Sequence, residues 1–254
     1  MILQIQQQTP EWLQARLGRV TASRVKDVMA KLKSGLPAAP RKNYMTELAC
    51  ERLTGRAKDH FVSAAMAWGT ENEKYARAAY EIISGNEVEK VGMAIHPRIE
   101  QFGASPDGAV GTDGLVEFKC ALTETHVDWM DEGNAEVPEE HRDQCYSQMA
   151  CWERDWVDFA SFDPRIEDYP DLQMFMKRLP RDEKRIMEIE VEVERFLEEL
   201  QAKMVRLIQR CGNPTQVREQ MQNPKFKEQL RKSVEDVDPD LIITDRDLPA
   251  WARK

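Results

Sequence analysis

Ser105-Pro106-Asp107-Gly108 and, with nine residues between Asp107 and Glu117, the run Glu117-Phe118-Lys119 bring together the residue types of metal-assisted hydrolysis. On a strand, Glu117 and Lys119 share a face while Phe118 turns into the packing. The Pro-Asp-Gly turn lets Asp107 return to meet Glu117. Two carboxylates a few ångström apart repel and raise each other's pKa. A hard divalent cation relieves that repulsion, because Mg²⁺ prefers carboxylate and water oxygens. A metal held there stabilises charge developing on a phosphate and acidifies a bound water. Lys119 would orient that water or neutralise the transition state. Spacing alone is a weak signal, since D-x9-E-x-K arises by chance in charged proteins and an E-x-K strand face is ordinarily just solvated. The setting strengthens it: Leu115, Val116, Phe118 and Cys120 read as a buried strand, where charges are unwelcome unless paired.

The elements around this strand follow from periodicity and punctuation. A helix is expected from about Pro10 to Leu17 and a second over Val25–Leu32, capped by a hydroxyl of Thr21-Ala22-Ser23. Residues 33–42, KSGLPAAPRK, read as a mobile loop. Helices follow at about Asn43–Leu53 and Met66–Ile83, the latter stopped by Gly85. Strands are expected over Glu87–Ile95, Gly114–Cys120, Val157–Phe162 and Leu172–Lys177, with a helix over Pro138–Trp152. Ile186, Ile189, Val193, Phe196, Leu200, Met204 and Leu207 recur at steps of three and four, predicting an amphipathic helix to about Arg210. Glu188–Glu194 (EIEVEVE) alternates like a strand and leaves that boundary open. Beyond Gly212 apolar residues thin out, leaving a tail with one short helix around Lys225–Lys232. The order is that of an α/β protein, a central mixed β-sheet flanked by helices. Residues 1–210 would form one domain and 211–254 a tail, either disordered or partner-binding.

Composition narrows the classes. The chain has 254 residues, 41% hydrophobic and 32% charged, with no apolar run approaching the ~20 residues of a membrane span. The N-terminus lacks a basic stretch followed by an apolar one, so secretion is not expected. Five scattered cysteines (Cys50, Cys120, Cys145, Cys151, Cys211) without C-x-x-C spacing argue against a disulfide framework or a zinc or iron–sulfur site. A reduced, cytoplasmic setting is the expectation. The net charge of −9 decides little, because nucleic-acid binding depends on where basic groups sit.

Ser-Pro-Asp-Gly followed by Glu-Phe-Lys-Cys resembles the signature of the PD-(D/E)xK nuclease superfamily. More narrowly, the chain is similar to the lambda exonuclease and YqaJ-like phage recombination nucleases. Trp12, Arg16, Leu17, Gly18 and Thr21-Ala22-Ser23 resemble that family's opening motif. Ala67-Trp68-Gly69 with Glu73 and Ala76-Arg77 resembles its helical segment. Gln144 with Gln148-Met149, and Phe162-Asp163-Pro164-Arg165, resemble two later elements. The similarity spans about residues 8–210, with the motifs in the family's order.

The resemblance implies a restriction-endonuclease-like core and a role for each matching residue. Glu73 would be a third carboxylate near two Mg²⁺ ions, for which Mn²⁺ can substitute, and the carbonyl of Phe118 a further metal ligand. Without the family, Glu73 reads as an exposed helix charge. Gln144 would position the attacking water or the scissile phosphate. Arg16, Ser23 and Ser105 would form a pocket for a terminal 5′-phosphate. The archetype has an arginine shortly after the E-x-K strand where this chain has Thr125 and His126. The pocket is then weaker or completed by another basic residue.

His60, His126 and His141 share no ligand spacing and read as surface or DNA-contact candidates. Trp12, Trp68 and Trp152 read as core. Lys31, Lys33, Arg41 and Lys42 border the loop, either solvated or touching a DNA backbone. The implied activity is a 5′-to-3′ exonuclease on double-stranded DNA ends, producing 3′ overhangs for phage-type recombination. The implied partners are two further copies in a homotrimeric ring and a single-strand annealing protein. A structure-specific endonuclease of the same fold and a non-catalytic DNA-binding scaffold are the alternatives, the intact Asp107, Glu117 and Lys119 set opposing the second.

Overall fold

The computed structural model describes residues 1–58, 63–131, 136–210 and 224–225. Residues Met1–Leu200 form one compact unit. In chain order the elements are β1 (Ile2–Leu3), α1 (Pro10–Arg16), β2 (Val20–Thr21), α2 (Val25–Met29), α3 (Ala39–Thr54), α4 (Ala64–Ser84), β3 (Val88–Glu89), β4 (Met93–Ile95), β5 (Phe102–Ala104), β6 (Gly108–Val110) and β7 (Gly114–Lys119). There follow α5 (Thr123–Asp131), α6 (Glu139–Trp152), β8 (Trp156–Phe162), β9 (Met174–Pro180) and α7 (Glu183–Gln209).

The fold class is α/β, as expected, but the strands divide between two sheets. One has the order β3-β6-β7-β8-β9 and the other β1-β4-β5-β2. In the larger sheet β7 lies parallel to β8, with Glu117 opposite Phe159 and Lys119 opposite Ser161, while β6 pairs antiparallel to β7. The α6 crossover between β7 and β8 is what a parallel pair requires.

Strand alternation in β7 sends its residues to two faces. Val116 and Phe118 join Ala76 and Tyr80 of α4 in a buried cluster with Val88, Val110, Ala160 and Phe162. Phe118 meets the Tyr80 ring edge-on at 5.8 Å. Glu117 faces the opposite way, toward α6. Each face of the strand is thus covered by a helix.

Several boundaries differ from the sequence reading, each for a physical reason. The expected strand over Glu87–Ile95 breaks into β3 and β4, which belong to different sheets. Gly92 lies at the break, where a Cβ would stand 2.4 Å from the carbonyl oxygens of Leu3 and Ile5. The second helix stops at Met29, preceded by a 3₁₀ turn over Ala22–Arg24, and neither start carries a side-chain cap.

The loop expected over 33–42 is shorter. Lys31 and Pro37 pair across a tight hairpin, and α3 begins at Ala39 with a proline in its first turn. Arg41 is 1% exposed and bonds to the Val28 carbonyl, Glu192 and Glu199, so it is not available to DNA. The EIEVEVE segment is helical: Ile189 and Val193 are buried while Val191 is 52% exposed, a division no strand would make. Helix α5 and strands β1, β2, β5 and β6 lie where the sequence pattern signals none, and the expected tail helix around 225–232 lies, beyond Lys225, outside the described residues.

Candidate active site

Asp107 lies on the turn before β6, where its Oδ2 accepts the Phe118 N–H at 2.6 Å. Its own N–H donates to the Val116 carbonyl at 3.2 Å. These bonds dock the turn on β7 from both sides of Glu117. Arg77 of α4 donates through Nη2 to the Asp107 carbonyl at 2.6 Å and through Nη1 to the Val88 carbonyl at 3.4 Å. Glu73, one turn earlier, stands 3.9 Å from Arg77 Nη2.

Glu117 is 3% exposed. Its Oε1 accepts Lys119 Nζ and Gln144 Nε2, both at 2.5 Å, and its Oε2 accepts Gln148 Nε2 at 2.5 Å. Gln144 and Gln148 are four residues apart on α6, so they present their amides on one helix face. Asp107, Glu117, Lys119, Gln144 and Glu73 therefore converge from β7, α6, α4 and one turn.

The electrostatics follow from that convergence. Burial raises the Asp107 pKa well above the ordinary aspartate value, and Glu117 adds to the rise. Burial also raises Glu73, with Arg77 opposing and Glu117 adding. Burial works against the Lys119 ammonium, but Glu117 and Asp107 outweigh it, and its pKa is raised. Cys120, pushed up to about 12 by burial and by Glu73, stays a thiol.

Among the described residues no three Asp, Glu, His or Cys side chains form a closed metal cage. The donors at hand, two neighbouring carboxylates and the Phe118 carbonyl, make an open set. That suits a cation such as Mg²⁺, which keeps most of its waters and takes one or two protein carboxylates. Burial of the Asp107 carboxylate beside the Glu117 charge is a penalty of the kind such a cation relieves. A cavity of about 460 Å³ opens beside Asp107 and Glu73, walled by Arg77, Lys90 and the segment Gln4–Gln8. Gln7 Nε2 bonds to the Pro106 and Val91 carbonyls, fixing that wall to the turn carrying Asp107.

Arg16 and Ser23 line a second cavity of about 320 Å³ with Arg19, Thr21, Arg24 and Tyr44. Arg16 lies over the Trp12 ring at 4.3 Å, and among the described residues its guanidinium makes no hydrogen bond or ion pair. Arg24, by contrast, is held by Asp27 and Glu47. Ser105 does not line this cavity; its Oγ accepts Trp12 Nε1 at 2.9 Å, joining it to Arg16 through the indole.

Other expectations are corrected. His126 is fully buried between Ser161 Oγ (2.7 Å) and the Leu172 carbonyl (2.9 Å), which makes it a core residue and no DNA contact. Burial, with the Lys119 charge adding, holds His141 neutral, its pKa lowered to about 4, and its ring stacks on Phe159 at 5.1 Å. His60 lies outside the described residues. Thr125 sits half-buried on α5. Arg165 forks onto Asp163, reaches the Ala121 carbonyl at 2.8 Å and covers Trp68, tying the chain after Lys119 to α4. Gln148 and Arg77, which stand in the family-like motifs without an assigned role, also contribute to the site, each one four-residue step from Gln144 or Glu73.

The chain matches the YqaJ-like viral recombinase domain over residues 11–155. It is similar to crystal structures of LHK-Exo, an alkaline exonuclease from Laribacter hongkongensis, one of them in complex with dAMP. Each gives 49% identity and a TM-score of 0.73 and covers 80% of this chain and 97% of the other. A phage-related exonuclease from Haemophilus somnus 129PT shares the fold at 18% identity, with a TM-score of 0.58 over 73% of this chain and 96% of its own. A comparison with curated proteins gave no match. With a motif order, a fold and a sequence in common, the chain belongs to the YqaJ-like viral recombinase family, on the PD-(D/E)xK fold.

Proposed function

We propose that the protein is a DNA exonuclease that uses divalent metal, specifically Mg²⁺, to degrade one strand of duplex DNA from a 5′ end. The observation that carries this reading is the meeting of Asp107, Glu117, Lys119 and Gln144 around one buried carboxylate, in a chain half identical to an alkaline exonuclease. The dAMP bound to that relative supports a mononucleotide product.

Asp107, Glu117 and the Phe118 carbonyl would hold the cation, with Glu73 as the further carboxylate for a second ion. Divalent cations bound there would neutralise phosphate charge and lower the pKa of an attacking water. Lys119, held protonated by Glu117 and Asp107, supplies a fixed positive charge beside the scissile phosphate. Gln144, the more exposed of the two amides, orients the incoming water or phosphate oxygen.

The direction of attack rests on Arg16. A guanidinium with five donors and, among the described residues, no protein acceptor is a ready partner for a terminal phosphate, which it grips in pairs of bonds. Ser23 lines the same cavity, with Arg19 nearby in place of the arginine that Thr125 replaces, and Ser105 serves the 5′-phosphate pocket from outside that cavity, through its bond to Trp12 beneath Arg16. The nuclease occupies residues 1–210, assembles as a homotrimeric ring on its DNA, and hands the 3′ overhang to a single-strand annealing protein docked through residues 211–254.

The test is digestion of duplexes labelled at the 5′ or 3′ end, beside a covalently closed circle. Early release of the 5′ label as mononucleotide and an intact circle support the reading; early loss of the 3′ label or nicking of the circle overturns it.

A further inference from the structure

Gln148 is 0% exposed and lies one helical turn beyond Gln144. Its Nε2 donates to Glu117 Oε2 at 2.5 Å, while its own Oε1 is buried and, among the described residues, has no hydrogen-bond partner. The amide cannot be turned round without setting its oxygen against a carboxylate oxygen, so the donor end must face Glu117. A buried side chain that served only to fill space would do so at less cost without an unpartnered oxygen. Leucine or methionine has nearly this volume and no such liability. The feature that distinguishes glutamine here is the single N–H aimed at Oε2.

We infer that Gln148 is the positioning residue of Glu117, fixing the carboxylate's rotation so that it meets a divalent cation in one orientation. The inference rests on the proposed metal role of Glu117. On the other oxygen, Oε1, Lys119 and Gln144 donate from half-exposed positions, and both have substrate-facing duties in the proposed reaction. Gln148 is screened from solvent, so its bond to Oε2 persists whatever those two side chains do. This is the role of the hydrogen-bonding groups that stand behind metal ligands, whose loss typically weakens metal binding by about 10–100-fold.

The experiment compares wild type, Gln148→Met and Asp107→Ala, full chains in each case, by calorimetric titration with Ca²⁺ and by thermal unfolding in EDTA. Wild type is expected to bind Ca²⁺ and Asp107→Ala to lose that binding. Gln148→Met is expected to bind at least about 10-fold more weakly. Its unfolding temperature in EDTA is expected to stay near that of wild type, because removing the unpartnered Gln148 oxygen offsets the donor that Glu117 Oε2 loses. Equal Ca²⁺ affinity in Gln148→Met and wild type overturns the inference. So does a lowered unfolding temperature in EDTA that accounts for the weaker binding, since Gln148 would then support the fold and not the ligand. Should Gln148→Met fail to fold, Gln148→Asn, which keeps an amide too short to reach Oε2, carries the same affinity test. Absence of Ca²⁺ binding by wild type itself would instead refute the metal role of the site.

Discussion

The side chain of Asp107 accepts the backbone N–H of Phe118 at 2.6 Å, so the turn carboxylate is fastened to the strand residue between Glu117 and Lys119. This local hydrogen bond sets the turn against the E-x-K strand, and Arg77 of α4 and the two amides of α6 then hold Asp107 and Glu117 from outside it.

Asp107→Asn keeps an acceptor for that N–H and removes the charge. Cation-dependent digestion should fall by at least about 10³-fold, a loss on the scale seen when a main electrostatic group is removed. Far-ultraviolet circular dichroism should be unchanged. Activity above a few per cent would show that Asp107 is dispensable to the chemistry.

The raised pKa values of Asp107 and Glu73 set a pH dependence. Both carboxyls hold their protons to higher pH in the fold than when unfolded. Their contribution to stability is therefore present below the ordinary carboxylate range, near pH 4, and is lost as pH rises through the folded values. In EDTA the wild-type unfolding temperature should drop as pH rises from 5 to 8, and Asp107→Asn should flatten the drop. Cations compete with those protons, so the Mg²⁺ concentration needed for half-maximal rate should decrease over the same interval. A requirement independent of pH would contradict the shifts.

Lys119 leads to a different expectation. Glu117 and Asp107 keep its ammonium protonated, so it should not titrate within the working range of the enzyme. Lys119→Met should lose activity by roughly the same factor at pH 7 and pH 9. A wild-type rate that collapses between those values in step with loss of a single proton would place the Lys119 pKa lower than its neighbours allow.

Arg16→Ala should slow digestion of 5′-phosphorylated duplex by about 10-fold or more, equivalent to one charge-assisted bond of about 1.5–3 kcal/mol. On a 5′-hydroxyl duplex the same variant should match wild type. Equal losses on both ends would mean that Arg16 supports the fold through its contact with Trp12.

Gly92→Ala probes the strand break that separates the two sheets. Its Cβ would meet two backbone carbonyls at 2.4 Å, which no side-chain movement relieves. A loss of about 1–3 kcal/mol, or roughly 2–12 °C in unfolding temperature, is expected from scanning calorimetry. An unchanged temperature would mean that residues 3–5 are free to move away from it.

Much of this site was legible in the sequence because its main parts are local. The turn and the strand alternation follow from short-range geometry and point to Asp107, Glu117 and Lys119, whereas Gln144 is singled out only by the family resemblance. The parts that were not legible depend on distant partners. Gln148 stands in a family-like motif with no role of its own until α6 is laid across β7. Arg41 reads as a loop cation until α7 brings Glu192 and Glu199 to it. His126 reads as a surface residue until Ser161 and Leu172 close around it. The one-sheet expectation failed at Gly92, whose role is set by residues 3 and 5, far away in sequence.

The most direct measurement of the central claim is a time course on 5′-phosphorylated linear duplex with Mg²⁺, run for wild type and Glu117→Gln at equal concentration. Wild type should release mononucleotides and leave the complementary strand intact, EDTA should stop it, and Glu117→Gln should release none above background. Digestion that continues in EDTA, or that survives in Glu117→Gln, would contradict a metal-dependent nuclease built on Asp107, Glu117 and Lys119.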